Sequence, residues 1–223
     1  MRFDLHQAPF GATKNSNSES CVFVIDENAS RRAALKELFE SVGLQVEFFA
    51  SGSAFLENRP PESTNSCLVL DVRLPGMSGL RFQEELTKAK IHVPIVFLTG
   101  HGDIPMAVRA IKAGAVDFLT KPFRNQDLLD AVSTALEQDR AHRAKEQASS
   151  TLRKNFDSLS ARERDVVARV AAGRLNKQIA ADLRVSEVTV KVHRANAMRK
   201  LRAKSVPELV RTADVHGPTI DNR

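Results

Sequence analysis

A chain of 223 residues, 42% of them hydrophobic, is long enough for two packed domains. No apolar run in it approaches membrane-spanning length, which argues against an integral membrane protein. The net charge of +6 is unevenly spread: residues 20–140 carry 13 basic against 16 acidic side chains, residues 141–223 carry 18 against 9. An acidic front and a basic back point to a regulatory half joined to a nucleic-acid binder.

Residues 1–19 are polar, run into KNSNSES and read as a disordered extension. They show no basic start followed by a hydrophobic run and a cleavage site, so the expected location is the cytoplasm. From Cys21 onward, apolar runs alternate with helical patterns. Strands are predicted at 21–25, 44–49, 67–70, 94–98 and 115–119. Their continuous apolar character suits strands covered on both faces. Helices are predicted at 30–42, 51–58, 78–89, 103–113 and 125–139. The first has a stripe of Ala34, Leu35, Leu38, Phe39 and Val42; the last has Leu128, Leu129, Val132, Ala135 and Leu136. Five strand-helix repeats over 20–139 predict one doubly wound, five-stranded parallel α/β domain. Cys21 and Cys67 each begin an apolar run and read as buried reduced thiols, not as a disulfide or metal ligands.

Residues 140–157 turn polar and read as a partly helical linker, with Asp139 and Arg143 at i,i+4 on a solvent-exposed extension. Residues 158–215 predict a small all-α domain of four helices. Ser160 and Glu163 have capping-box spacing, Gly173 ends that helix, and Asn176 is the expected N-cap of the next. Ser186 caps a basic third helix, and Pro207 opens the fourth. Residues 216–223 read as a disordered tail.

The chemistry gathers at predicted strand ends. Asp26 and Glu27 follow the first strand, Asp71 ends the third, Thr99 ends the fourth and Lys121 follows the fifth. In an open parallel sheet these ends share one rim, where such folds place reactive groups. Three neighbouring carboxylates repel one another, and a hard cation such as Mg²⁺ relieves that. A hydroxyl and an ammonium beside Asp71 suit the oxygens of an aspartyl phosphate. Singly, Lys121 reads as a surface lysine, Thr99 as a strand-end hydroxyl and Asp71 as a turn cap. Their coincidence at successive strand ends reads as a site.

The segments VIDEN, LVLDVRLPGMSG, FLTGHGDIP and DFLTKPF, in that order, resemble a CheY-like receiver domain of flavodoxin-like fold. The resemblance implies that Asp71 is the phosphoacceptor. It implies that Asp26, Glu27, Asp71 and the backbone carbonyl of Arg73 hold Mg²⁺. Thr99 and Phe118 would be the switch residues, Lys121 the phosphate-binding lysine, and Lys121-Pro122 a cis peptide. The chain departs from the commoner pattern by an Asp-Glu acidic pair and by Phe where a Tyr is frequent.

LSARERDVV, NKQIAADLRVS and TVKVHRANAMRKL resemble a LuxR-type helix-turn-helix, as in NarL/FixJ response regulators, the FixJ group above all. In the basic helix, Val190, Ala197, Met198 and Leu201 fall at core spacing, while Lys191, Val192, Arg194, Ala195, Asn196, Arg199 and Lys200 form the opposite face. The resemblance implies Lys191, Val192 and Arg194 nearest the bases. Lys177, Thr189, Asn196 and Arg199 complete the expected DNA contacts. It further implies a cognate histidine kinase, a homodimer formed on phosphorylation, promoter DNA and RNA polymerase as partners, and a transcriptional activator, not an enzyme. Two alternatives stay open: a phosphatase using an aspartyl intermediate, against which Asp71-Val72-Arg73 lacks a second acid, and a ligand-sensing or phosphorylation-independent helix-turn-helix regulator.

Overall fold

The computed structural model describes residues 20–58, 64–74, 76–100 and 102–216. The expected disordered extension and all of the expected tail beyond His216 lie outside them. The chain divides into two compact units between Arg143 and Ala144.

In the first unit the strands are β1 (Ser20–Ile25), β2 (Gln45–Phe49), β3 (Asn65–Asp71), β6 (Ile95–Thr99) and β7 (Asp117–Thr120), in the order β2-β1-β3-β6-β7 and all parallel. A two-residue ladder that the pattern did not predict, β4 (Arg73–Leu74) with β5 (Met77–Ser78), forms directly after Asp71. The connecting helices are α1 (Ala29–Ser41), α2 (Gly52–Glu57), α3 (Gly79–Lys88) and α4 (Ile104–Lys112), and α5 (Asn125–Asp157) follows β7.

Alternation along the central strands builds two cores. Phe23, Ile25, Leu68, Leu70 and Phe97 face one way and pack with Phe55, Phe82, Leu86 and Ala110 from α2, α3 and α4. Val22, Val24, Val69, Val96 and Leu98 face the other way, against Leu35 and Phe39 of α1 and Leu128, Val132 and Leu136 of α5. Both-faced burial explains the unbroken apolar runs of β1, β3 and β6. The edge strands β2 and β7 are only partly covered. The α1 stripe is narrower than predicted: Leu35 and Phe39 are buried, but Ala34 and Val42 are exposed because the sheet covers only one side of the helix. Cys21 and Cys67 are free and buried, and burial pushes the Cys21 thiol up to about 11.

Asp139 corrects the expectation of a solvent-exposed pair. It is fully buried, accepting a hydrogen bond from the Ser66 amide at 2.8 Å and another from Arg143 Nε. It satisfies a backbone donor at the start of β3, so the polar sequence around it still belongs to a packed interior. The whole of 140–157 is helical, as the second half of α5.

In the second unit, α6 (Ala161–Ala171), α7 (Asn176–Leu183), α8 (Glu187–Leu201) and α9 (Val206–His216) enclose a core of Val166, Val167, Ile179, Val190, Ala197, Leu201 and Leu209, joined by Phe156 and Leu159. The Ser160/Glu163 capping box is present in both directions. Ser186 caps α8, accepting from Thr189 N at 3.1 Å. Asn176, however, is the first residue of α7 and not its cap. The preceding Leu175 takes the cap position, its amide held by Gln178 Oε1 at 2.9 Å. Leucine has no acceptor to return that bond, so only half a box forms. Arg184, at φ 54°, turns the chain from α7 into α8.

Candidate functional site

The register places the acidic rim. Ile25 pairs with Leu70, so the next residues along, Asp26 and Asp71, emerge side by side between β1 and β3. Strand order reverses there, which makes it the crevice where doubly wound sheets bind ligands. Lys121 arrives from β7, its amide bonded to Thr99 O at 2.7 Å, ahead of a cis Lys121-Pro122 peptide. Its ammonium lies 2.7 Å from Asp71 Oδ2 and 3.7 Å from Asp26 Oδ2. The Arg73 amide donates to Asp71 Oδ1 at 3.0 Å. Each oxygen of Asp71 is thus held by a separate donor, which fixes the plane of the carboxylate. That side chain keeps 12% of its surface open.

Asp26 is buried, and Arg31, which the sequence reading did not single out, grips it. Nε donates to Oδ2 at 2.8 Å and Nη2 to Oδ1 at 2.9 Å. The Asn28 amide adds a bond to Oδ1 at 2.7 Å. Burial by itself would raise the Asp26 carboxyl. The Arg31 and Asn28 hydrogen bonds and the nearby Lys121 charge overcome that and hold it below the usual carboxylate range.

Glu27 is exposed, and among the described residues no three carboxylate, His or Cys side chains gather closely enough to hold a metal between them. Asp26 and Asp71 remain as a two-carboxylate donor set. This fits a hard cation that keeps several waters and takes its remaining ligands from a phosphoryl group. The pair would hold Mg²⁺ more readily than it would any ion that prefers sulfur or imidazole.

Thr99 is buried at the end of β6. Phe118 is half-buried and packs on the Phe97 ring at a centroid distance of 6.2 Å. Two glycines serve this region through close approach, and neither drew notice in the sequence. A Cβ on Gly79 would stand 2.6 Å from the Asp71 carbonyl oxygen. A Cβ on Gly102 would stand 2.8 Å from both Phe118 and Thr99. Such distances force neighbours to move, so Gly79 seats the backbone of Asp71 and Gly102 leaves room for Thr99 and Phe118.

On α8, Lys191, Val192 and Arg199 are exposed, as is Lys177 on α7, while Thr189, Arg194 and Asn196 are half-buried. Arg194 Nη1 donates to Asn176 Oδ1 at 3.2 Å, so the asparagine expected to cap α7 instead orients an α8 arginine. Asn196 accepts from Arg199 at 2.9 Å. Val188 is 68% exposed and shares the face of Val192 at i,i+4; it too went unremarked in the sequence. Lys200 leaves the expected basic face. It turns inward to Glu163 Oε2 at 2.6 Å and to Ser158 O at 3.1 Å.

Residues 22–133 match the family model described as the response regulator receiver domain, and residues 157–213 match that of bacterial regulatory proteins of the luxR family. Nodulation protein W of Bradyrhizobium diazoefficiens is 50% identical over 207 residues, covering 93% of this chain and 91% of that one. Transcriptional regulatory protein FixJ of Rhizobium meliloti is 43% identical over 192 residues, covering 86% and 94%. Among solved structures, response regulator StyR aligns with a TM-score of 0.80 at 47% identity, covering 88% of this chain and 99% of that one.

Proposed function

From membership of this chain in the NarL/FixJ family of response regulators, with a receiver domain and a LuxR-type DNA-binding domain and no enzyme activity of its own, we propose a phosphorylation-dependent transcriptional regulator that takes a phosphoryl group on Asp71 from a partner histidine kinase. The receiver spans 20–139, the linker 140–157 and the DNA-binding domain 158–215 in this reading. The observation that carries it is the pairing of a rim-exposed, doubly held Asp71 with Lys121 at 2.7 Å.

In the transfer, an Asp71 carboxylate oxygen attacks the phosphorus of the kinase phosphohistidine. The O–P bond forms as the N–P bond breaks, and the imidazole leaves with its electron pair. Lys121 offsets charge on the transferred oxygens, and Asp26 with Asp71 would hold Mg²⁺. The cation, when bound, neutralises phosphoryl oxygens without a proton transfer. Thr99 then meets a phosphoryl oxygen, and Phe118, which with Thr99 already packs against Gly102, shifts with it. The surface of α4, β7 and α5 changes with them.

Ile104, Val108 and Ile111 stand exposed at helical spacing on α4, an apolar stripe suited to pairing two receivers. Leu128 and Val132 are fully buried and belong to the core, not to that surface. A dimer links two weak DNA modules and raises their affinity through effective concentration. Promoter binding, activation through RNA polymerase and a cytoplasmic location complete the proposal. No helix among the described residues is long and apolar enough to cross a membrane.

The DNA face is tested by anisotropy on a selected duplex across a salt series. Arg194→Ala is expected to weaken operator binding by about 1–3 kcal/mol and to relax base preference. Lys177→Ala is expected to weaken all sequences alike and to lower the salt slope by about one ion. Unchanged affinity in both variants would remove α7 and α8 from the interface.

A further inference from the structure

Arg31 stands in the first turn of α1, a turn that contains no acidic residue. A cation there meets the positive end of the helix dipole, which disfavours it. Its guanidinium turns back over the rim and closes a two-point fork on Asp26, at 2.8 and 2.9 Å. This planar, bidentate geometry is the strong form of a charged hydrogen bond. Nη2 also reaches within 3.8 Å of Asp71 Oδ2, and Arg32 Nη1 donates to the Asp26 carbonyl at 3.1 Å.

Two carboxylates, Asp26 and Asp71, therefore already face two cations, Arg31 and Lys121. The rim is neutral before any metal arrives. A divalent ion needs an oxygen of Asp26, and the fork covers both. Of the two resident cations Arg31 is the one able to leave: its side chain is 42% exposed against 17% for Lys121. Resting on the reading that this rim binds a divalent cation, we propose that Arg31 is a resident counter-ion that occupies the cation's place on Asp26. It must swing into solvent before the metal binds, and it thereby sets the metal affinity of the receiver.

The exchange needs no change in the fold. Asp26 trades a guanidinium for a metal ion, and the released side chain regains its freedom in water. Binding is weakened because part of the metal's interaction is spent on displacement, so the receiver charges only when cation is plentiful. Arg31 is a positioning residue here, since it acts through Asp26 and does not touch the transferred group.

The test is Mn²⁺ titration of the full chain, following the free-ion paramagnetic resonance signal, with Mg²⁺ competition. Wild type, Arg31→Ala, Arg31→Gln and Asp26→Asn are compared. Arg31→Ala and Arg31→Gln are expected to bind about tenfold more tightly than wild type, given the strength of a forked ion pair discounted for partial exposure. Asp26→Asn is expected to lose binding, which locates the measured ion at the rim. In wild type, the Arg31 Nε–H resonance should leave its hydrogen-bonded position in step with Mg²⁺ occupancy. Equal or weaker binding in both Arg31 variants, with saturable binding in wild type, would overturn the counter-ion role and leave the metal site intact. No saturable binding in wild type or in either Arg31 variant would overturn both.

Discussion

Asp71→Asn is expected to abolish phosphoryl uptake from acetyl phosphate, read by intact mass with and without Mg²⁺. The amide oxygen is far too weak a nucleophile to attack phosphorus, and no neighbouring carboxylate can replace it. Asp26, the nearest, sits almost wholly buried, and its oxygens are held by Arg31 or, once the cation has displaced Arg31, by the cation. The loss should exceed a thousandfold, the order seen when a covalent nucleophile is removed. The fold should survive, because Asn keeps the volume and its oxygen can still accept from Lys121. What it forfeits is one contact: with the oxygen toward Lys121, the amide NH₂ faces the Arg73 N–H that Asp71 Oδ1 now satisfies at 3.0 Å. That costs about 1 kcal/mol of stability, which a thermal melt will register. Continued formation of an alkali- and hydroxylamine-labile acyl phosphate in Asp71→Asn would place the acceptor elsewhere.

The second large effect lies in the helical unit. Glu163 Oε2 accepts the Ser160 amide at 2.7 Å and the Lys200 ammonium at 2.6 Å, with only 6% of its side chain exposed. One carboxylate thus caps α6 and ties it to the last turn of α8. Glu163→Ala strands the Lys200 ammonium and opens the cap, so a loss of about 1–3 kcal/mol is expected, after discounting for the partly exposed lysine. The pH dependence follows from the same contacts. Burial would raise the Glu163 carboxyl, but the Lys200 and Ser160 hydrogen bonds outweigh it and hold it below its ordinary value. A carboxyl depressed in the folded state contributes stability that is present above its unfolded pKa and lost as pH falls through the folded one. Calorimetry on the full chain should therefore show the wild-type helical unit losing this increment below about pH 4.5. Glu163→Ala should start lower and vary less with pH over that range. Equal melting of wild type and variant at pH 7 would mean that the carboxylate does not hold the two helices together.

The features legible in the sequence were those with a short-range signature. Parallel strands buried on both faces declare themselves as apolar runs, and β1, β3 and β6 emerge within two residues of their predicted limits. The Ser160/Glu163 box and the Ser186 cap depend on three-residue spacing and were equally visible. Strand ends in a parallel sheet must share a rim, which is why Asp26, Glu27, Asp71, Thr99 and Lys121 could be assigned to it from order alone; Glu27, however, stays exposed, and no third carboxylate joins Asp26 and Asp71 among the described residues. Partnerships across the fold left no such trace. Arg31 and Lys200 look like solvated charges until the carboxylates of Asp26 and Glu163 are found facing them. Asp139 was misread for the same reason. Its i+4 arginine suggested an exposed helix, whereas its other partner, the Ser66 amide, lies 73 residues away in the chain. Asn176 has the chemistry of a cap, but a partner on α8 claims its oxygen.

The proposed coupling between the acidic rim and the basic helix must be reciprocal: whatever phosphorylation adds to DNA affinity, DNA adds to the phosphorylated state. The most direct measurement is fluorescence anisotropy of a selected operator with wild type and Asp71→Asn, each with and without beryllofluoride and Mg²⁺. About tenfold or greater tightening is expected in activated wild type alone, the gain from linking two modules. Equal affinity in all four samples would contradict the coupling.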